Sequence, residues 1–307
     1  MSQNVPMPTG APQAEVEIDQ GLVRRLVTSQ SPEFSGMPIS YLATGWDNEV
    51  YRLGDELLIR LPRRELAEIL GARERQWLPI LAAETGLDLG VPVFWGRRTV
   101  EYPFTFSICR YVHGVSAATL TRGERDWYAS QFVIYLQRLH RPAPTGAPLS
   151  EFRGLDLANL DTRTRGQIDQ LPRGFQEAAQ VIWNDAMAAE TYAGTPLWLH
   201  GDPHPHNTIA TEKPGGCTLA GLVDFGDLCS GDPSSDLGML WLHFTPGIRD
   251  SALRVYGSQV GDSTWRRARG WALRYAMIIS GLGASDPLGI IGRETLELMF
   301  AELNLKN

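Results

Sequence analysis

The feature that most constrains this chain is the run Leu197 to Gly238, LWLHGDPHPHNTIATEKPGGCTLAGLVDFGDLCSGDPSSDLG. Short apolar segments alternate here with loops that hold acids and an amide. Asp202 follows His200-Gly201, Asn207 comes five residues later, and Asp224 opens Asp224-Phe225-Gly226. The stretch between Asn207 and Asp224 suits a hairpin: Thr208–Thr211, a turn at Glu212-Lys213-Pro214-Gly215-Gly216, then Leu219–Val223. Folding back in this way brings Asn207 and Asp224 to the hairpin base. A lone Asp or Asn before a strand is ordinarily a turn or cap, so the weight lies in the ordered set. An amide oxygen and a carboxylate are hard ligands of the kind Mg²⁺ takes. A separate carboxylate can orient a hydroxyl and accept its proton. Phosphoryl transfer needs these parts and little covalent help from the protein.

Residues 1–14 are Pro, Gly and polar, and are expected to form a flexible arm. Glu17–Thr28 reads as a short helix, with Val16, Leu22, Val23 and Leu26 apolar. Three strands follow, Ile39–Ala43, Glu49–Leu53 and Glu56–Leu61, with turns at Thr44–Asn48 and Gly54-Asp55. Pro62–Glu84 reads helical on the stripe Leu66, Ile69, Leu70, Trp77 and Leu81. Val91–Gly96 and Phe104–Val112 are two more strands, and Glu124–His140 is a helix with Phe132, Tyr135, Leu136 and Leu139 on one face. Phe175–Thr191 is a further helix. After Asp236 the chain reads as helices over Ser235–Phe244, Arg249–Val260, Thr264–Gly281 and Glu294–Leu303. The expected fold class is α+β, with a β-rich lobe over 15–112 and a larger, mainly helical lobe over 113–307.

The order HGD, downstream Asn, then DFG resembles the catalytic and metal loops of protein kinases. It is closer to the aminoglycoside and macrolide phosphotransferase family, whose loop begins HGD. That resemblance implies a two-lobed kinase-like fold and an enzyme that phosphorylates an alcohol group. Asp202 would be the catalytic base, Asn207 and Asp224 the Mg²⁺ ligands, and His200 and Asp236 their support. The turn Thr44-Gly45-Trp46-Asp47-Asn48 resembles the GWDN loop near the macrolide branch, which implies phosphate contact at Gly45 and Asn48. Arg60 stands where a kinase has its third-strand Lys, with Glu74 as its expected partner and Glu68 as the alternative. Arg can hold phosphate bidentately. Arg110, Tyr111 and Val112 fall at the expected hinge, where backbone reads a purine edge. The cofactors implied are Mg²⁺ and a donor nucleotide, GTP by preference or ATP.

The helical tail is expected to build the acceptor pocket beside Asp202. Phe244, Tyr275, Ile278 and Ile279 are candidate pocket residues, and Trp265–Tyr275 is rich in arginine rather than carboxylate. An aminoglycoside pocket would show many acids, so the expectation is a large apolar acceptor with one amine, a macrolide phosphorylated at its 2′-hydroxyl. Alternatives are an aminoglycoside or small-metabolite kinase and a nucleotide-binding module without turnover. His204 and His206 with Asp202 would also suit a zinc hydrolase, but the other histidines supply no second pair. The net charge of −7 and a pI near 5.4 argue against a nucleic-acid partner. Three cysteines without CxxC spacing support neither a zinc knuckle nor a disulfide framework. Without a basic-then-apolar leader or a membrane-length window, a cytoplasmic monomer is expected.

Overall fold

The computed structural model describes residues 12–257 and 261–304. The expected N-terminal arm therefore lies mostly outside the described residues, as does the end of the helix expected over 249–260. The chain divides into two compact units, Met1–Val112 and His113–Asn307. Together they make an α+β kinase-like protein, β-rich first and mainly helical after.

The first unit opens with α1 (Gln20–Gln30), started by Asp19, whose carboxylate accepts from Leu22 N–H at 2.6 Å. Strands β1 (Ile39–Thr44), β2 (Asn48–Leu53) and β3 (Leu57–Pro62) form the meander that their turn residues dictate. Helix α2 (Glu65–Thr85) leads to β4 (Phe94–Trp95) and β5 (Ser107–Arg110), and the antiparallel sheet order is β1-β2-β3-β5-β4. Leu22, Val23, Leu26 and Val27 pack on Tyr51, Leu53, Ile59, Leu61, Phe106 and Ile108 from alternate strand positions.

Helix α2 departs from the stripe expected of it. Leu66 and Ile69 are about half exposed, whereas Ala67, Glu68, Glu74, Leu78 and Leu81 are buried. Two glutamates displace the apolar stripe because each has a partner inside. Glu74 pairs with Arg60, and Glu68 accepts from Thr105 N–H at 2.6 Å.

The second unit begins with β6 (Val115–Ser116), then α3 (Arg122–Arg125) and α4 (Ala129–Leu139). These two helices replace the single one expected over 124–140. A 3-10 turn at Asp126–Tyr128 separates them, and the Asp126 carboxylate is drawn off to Thr245 N–H and Oγ1 at 2.9 and 2.7 Å. The apolar face of α4 is buried as its periodicity requires. Next come α5 (Asp161–Ile168) and α6 (Arg173–Met187), of which α5 has little apolar patterning to announce it. Strand β7 (Leu197–Leu199), the hairpin β8 (Thr208–Lys213) with β9 (Gly216–Leu222), and β10 (Cys229–Gly231) carry the constraining run. β10 pairs antiparallel with β7, and β6 joins the hairpin as β6-β8-β9.

Helices α7 (Ser234–Leu237), α8 (Leu240–His243), α9 (Pro246–Tyr256), α10 (Asp262–Ser280) and α11 (Pro287–Asn304) complete the unit. α10 is the central helix; Trp271, Leu273, Tyr275 and Met277 are buried along it. Among the described residues no helix is long and apolar enough to cross a membrane.

Arg125 holds the α3 and α8 regions together. It is buried and donates to His243 O at 2.8 Å and Leu120 O at 2.6 Å. Arg125→Met would keep the packing but strand those carbonyls, so unfolding free energy should fall by about 3 kcal/mol in urea titrations. An unchanged midpoint would show that water replaces the guanidinium without cost.

Candidate active site

The site is assembled on the loop after β7. At Gly201 φ is +87° and a Cβ would lie 2.3 Å from Asp227 O, so only glycine fits between His200 and Asp202. The loop is then held from below by the Asp236 carboxylate at the start of α7. Oδ2 accepts from His200 N–H at 2.8 Å and Oδ1 from Gly201 N–H at 3.0 Å. Asp236 is fully buried, with His140 Nε2 3.2 Å from Oδ2. Tyr275 on α10 donates its hydroxyl to Gly201 O at 3.2 Å.

The two possible cation ligands meet at the hairpin base. Thr208 faces Leu222, and Val223 N–H donates to Asn207 O at 2.9 Å. Asn207 Nδ2 donates to Asp202 O at 3.1 Å, which turns Oδ1 the other way as an acceptor. Asp224 is the one non-glycine residue with positive φ among the described residues, at +63°. That left-handed backbone costs roughly 1 kcal/mol and aims its side chain out of the strand direction. An amide oxygen and a carboxylate fit Mg²⁺, which completes its shell from phosphate and water. Among the described residues no group of three or more His, Cys, Asp and Glu could hold a metal. His204 Nδ1 is taken by Asn207 N–H at 3.2 Å, and the His204 and His206 rings lie 6.3 Å apart.

Arg153 is a residue that the sequence reading missed. It lies in the loop after α4, where nothing but an isolated cation beside Gly154 marks it. Its Nη2 is 3.1 Å from Asp227 Oδ2 and 3.5 Å from Asp202 Oδ2, and the guanidinium lies 5.1 Å from the Tyr275 ring centre.

The candidate pocket residues fall apart. Tyr275 supports the loop. Phe244 is sealed in an aromatic cluster with Tyr128 and Phe132, at ring distances of 5.6 and 5.8 Å. Ile278 is exposed, and Ile279 faces α11 at Gly292.

In the first unit Arg60 and Glu74 form a two-pronged pair at 2.8 and 3.1 Å. Glu68, the alternative partner, is engaged with Thr105 and Arg98 instead. Gly45 N–H donates to Asn48 O at 2.8 Å, and Arg63 and Arg64 pin the turn through Gly45 O and Asp47. Gly45 has no positive φ, and a Cβ there would meet nothing closer than 3.5 Å. The fold does not require a glycine at this position. Arg110 is exposed, Tyr111 donates its N–H to Glu56 O, and the Arg52 guanidinium lies 3.7 Å from the Tyr111 ring centre. Val112 closes the first unit.

The sequence profile described as "Phosphotransferase enzyme family" matches residues 38–271. The chain belongs to that family. Family membership makes it a phosphotransferase of kinase-like fold. No curated protein sequence matches it. Among solved structures, the GDP complex of aminoglycoside 2'-phosphotransferase-IIIa superposes with a TM-score of 0.69 at 19% identity, over 93% of this chain and 99% of that one. The GDP and kanamycin complex of APH(2")-IIia gives 0.68 at 20%, over 92% and 99%. Macrolide 2'-phosphotransferase MphH from Brachybacterium faecium gives 0.59 at 19%, over 93% and 98%.

The expected placement beside the macrolide branch is therefore corrected. It rested on the GWDN-like turn at Thr44–Asn48 and on the arginine-rich run of α10, and the structure shows where arginines of that run go. Arg266 binds Asp185, Arg267 binds Asp232 and Glu190 O, and Arg274 binds Gln167. Arg267 and Arg274 are buried and Arg266 is tied to Asp185, so these three are engaged by the fold itself.

Electrostatics sort the ionisable groups of this phosphotransferase. Burial would raise the Asp202 carboxyl, but His204, Arg153 and His200 outweigh it and hold the group below the usual carboxylate range. Asp227 moves the other way, raised by burial against the pull of Arg153. Arg153 stays charged: Tyr275, Asp202 and Asp227 overcome its desolvation. Burial lowers His200, whose Nε2 meets Val223 O at 3.1 Å, and lowers His243 still further.

Asp236→Ala would leave the His200 and Gly201 N–H groups buried without acceptors. It should cost about 3–5 kcal/mol and raise amide exchange at those two residues, read by hydrogen exchange. His200 and His243 are neutral in the fold and protonate more readily when unfolded. Stability is full above the unfolded value near pH 6.5 and lost as pH falls below it, by up to about 1.4 kcal/mol per pH unit for each. Urea midpoints at pH 5 and 7 check this; the difference between them should shrink in a His200→Gln/His243→Gln protein, with the remainder left to His206, which burial also lowers.

Proposed function

We propose that the chain is a small-molecule kinase that transfers the γ-phosphoryl group of GTP or ATP to a hydroxyl of an aminoglycoside or another small hydroxylated compound. The observation that carries this reading is the grouping of Asp202, Asn207 and Asp224 on one braced loop and hairpin, with Asp202 held ionised. Aminoglycoside phosphotransferases among the similar structures support the acceptor class, one of them in complex with kanamycin.

Asp202 would orient the acceptor hydroxyl and take its proton as the oxygen attacks the γ-phosphorus and the nucleoside diphosphate leaves. Asn207 and Asp224 would hold Mg²⁺, which neutralises charge on the phosphate oxygens. The Arg60–Glu74 pair and the bare Gly45 turn would serve the nucleotide phosphates, Arg by charge and Gly by close backbone approach. Tyr111 and Val112 would supply the backbone that reads the base, beside Arg110.

Incubating the purified protein with Mg²⁺, GTP or ATP and a panel of kanamycin, gentamicin, streptomycin and simple hydroxylated amines should yield an acceptor carrying one added phosphate by mass spectrometry. Asp202→Asn should lower kcat by about 10³-fold and leave nucleotide binding intact. Asp224→Asn should demand far more Mg²⁺ for the same rate. Full turnover by the Asp202→Asn protein would remove the proposed base.

A further inference from the structure

The two oxygens of Asp202 are not equivalent. Arg153 Nη2 and His204 Nε2 each lie 3.5 Å from Oδ2. Among the described residues neither ion pair of Asp202 involves Oδ1. His204 Nδ1 accepts from Asn207 N–H, so the neutral ring carries its proton on Nε2, toward Asp202. The two donors come from different parts of the second unit, one from the loop after α4 and one from the loop after β7.

The Arg153 loop is fastened to the strand beside the site. Ser230 N–H donates to Pro148 O at 2.8 Å, and Asp232 N–H to Gly154 O at 2.9 Å. Arg153 N–H itself donates to Ser150 Oγ at 3.2 Å. At Gly154 φ is +63° and a Cβ would lie 2.5 Å from Leu199 Cδ1, so the chain passes close against β7. Asp227 Oδ2 holds the same Nη2 at 3.1 Å, so that one nitrogen sits between the two carboxylates. A pair made only for stability between Arg153 and Asp227 would have no need to extend to Asp202.

Resting on the phosphotransfer reading above, we propose that Arg153 and His204 form a two-point anchor on Oδ2 of Asp202 that turns Oδ1 toward the acceptor hydroxyl. Both are then positioning residues and not acceptor ligands. A carboxylate on one Cβ rotates about two bonds, and a base works only within about 2.6–3.2 Å of the proton it takes. Two donors from separate elements on one oxygen remove both rotations. Loss of such positioning costs rate with little effect on binding, because the contact is not made to either substrate.

The test uses the full chain with Mg²⁺, ATP or GTP, and kanamycin as acceptor. Arg153→Met should lower kcat by about 10²-fold while both KM values stay within about 3-fold. Arg153→Gln should behave alike, and Arg153→Lys should recover part of the rate by restoring charge without the planar fork. His204→Ala should also lower kcat, His204→Gln should recover part of it by keeping a donor, and the Arg153→Met/His204→Ala protein should be slower than either single variant. A raised acceptor KM with unchanged kcat would make Arg153 an acceptor ligand and overturn the anchor. A crystal structure of the Arg153→Gln protein needs no acceptor. It should show the Asp202 carboxylate rotated from its wild-type direction, and an unmoved carboxylate would overturn the proposal. Should the wild-type protein phosphorylate no acceptor, the phosphotransfer reading fails, and the paired crystal structures still decide the anchor.

Discussion

The structure around the site depends on one buried carboxylate. Asp236 accepts the backbone N–H groups of both His200 and Gly201 while its own position is set by α7 and by His140. A charged acceptor in the interior is tolerable because its oxygens are met by donors. In return the loop after β7 is held in a shape that needs glycine at 201, which puts the Asp202 side chain beyond the turn. Tyr275 closes the same loop from α10 through Gly201 O. The helical tail thus acts on the site as its backing. The Tyr275 ring also faces Arg153, so one α10 residue touches both the loop and the cation beside it.

Charge is handled in the same way throughout the second unit. Arginines that look like a basic surface in the sequence are bound inside: Arg125 to carbonyls of two segments, Arg267 to Asp232, Arg274 to Gln167. Asp232 in turn caps Ser234 and so ties the acidic segment after β10 to α10. A run of like charges says little about a ligand when each charge has its own internal partner. Helix α2 of the first unit makes the same point with the opposite sign. Its buried face holds Glu68 and Glu74, each satisfied, and leaves Leu66 and Ile69 exposed.

Much of the framework was legible from local pattern. The meander β1-β2-β3, the apolar face of α4 and the β8–β9 hairpin followed from strand alternation, helical spacing and turn residues, which are properties of neighbours in the chain. The Arg60–Glu74 pair was anticipated through the resemblance to kinases, which sets a cation on the third strand against an acid on the next helix. Boundaries were less legible. The break between α3 and α4 comes from Asp126 reaching Thr245, and α8 separates from α7 within what reads as one helix. Such partners are far apart in sequence, and no periodicity contains them.

By itself the sequence determined the strands and helices of an α+β chain and the ordered residues Asp202, Asn207 and Asp224, because spacing and loop order are local facts; the kinase-like fold was implied by the resemblance that this order carries. Tertiary structure alone decided which oxygen of Asp202 is held, since Arg153 arrives from a proline-rich loop that carries no motif. It also decided that Arg267 and Arg274 of α10 are buried and that Phe244 belongs to the core. Each of these depends on which distant segments pack together, and burial energy, being non-directional, leaves that choice to the fold as a whole.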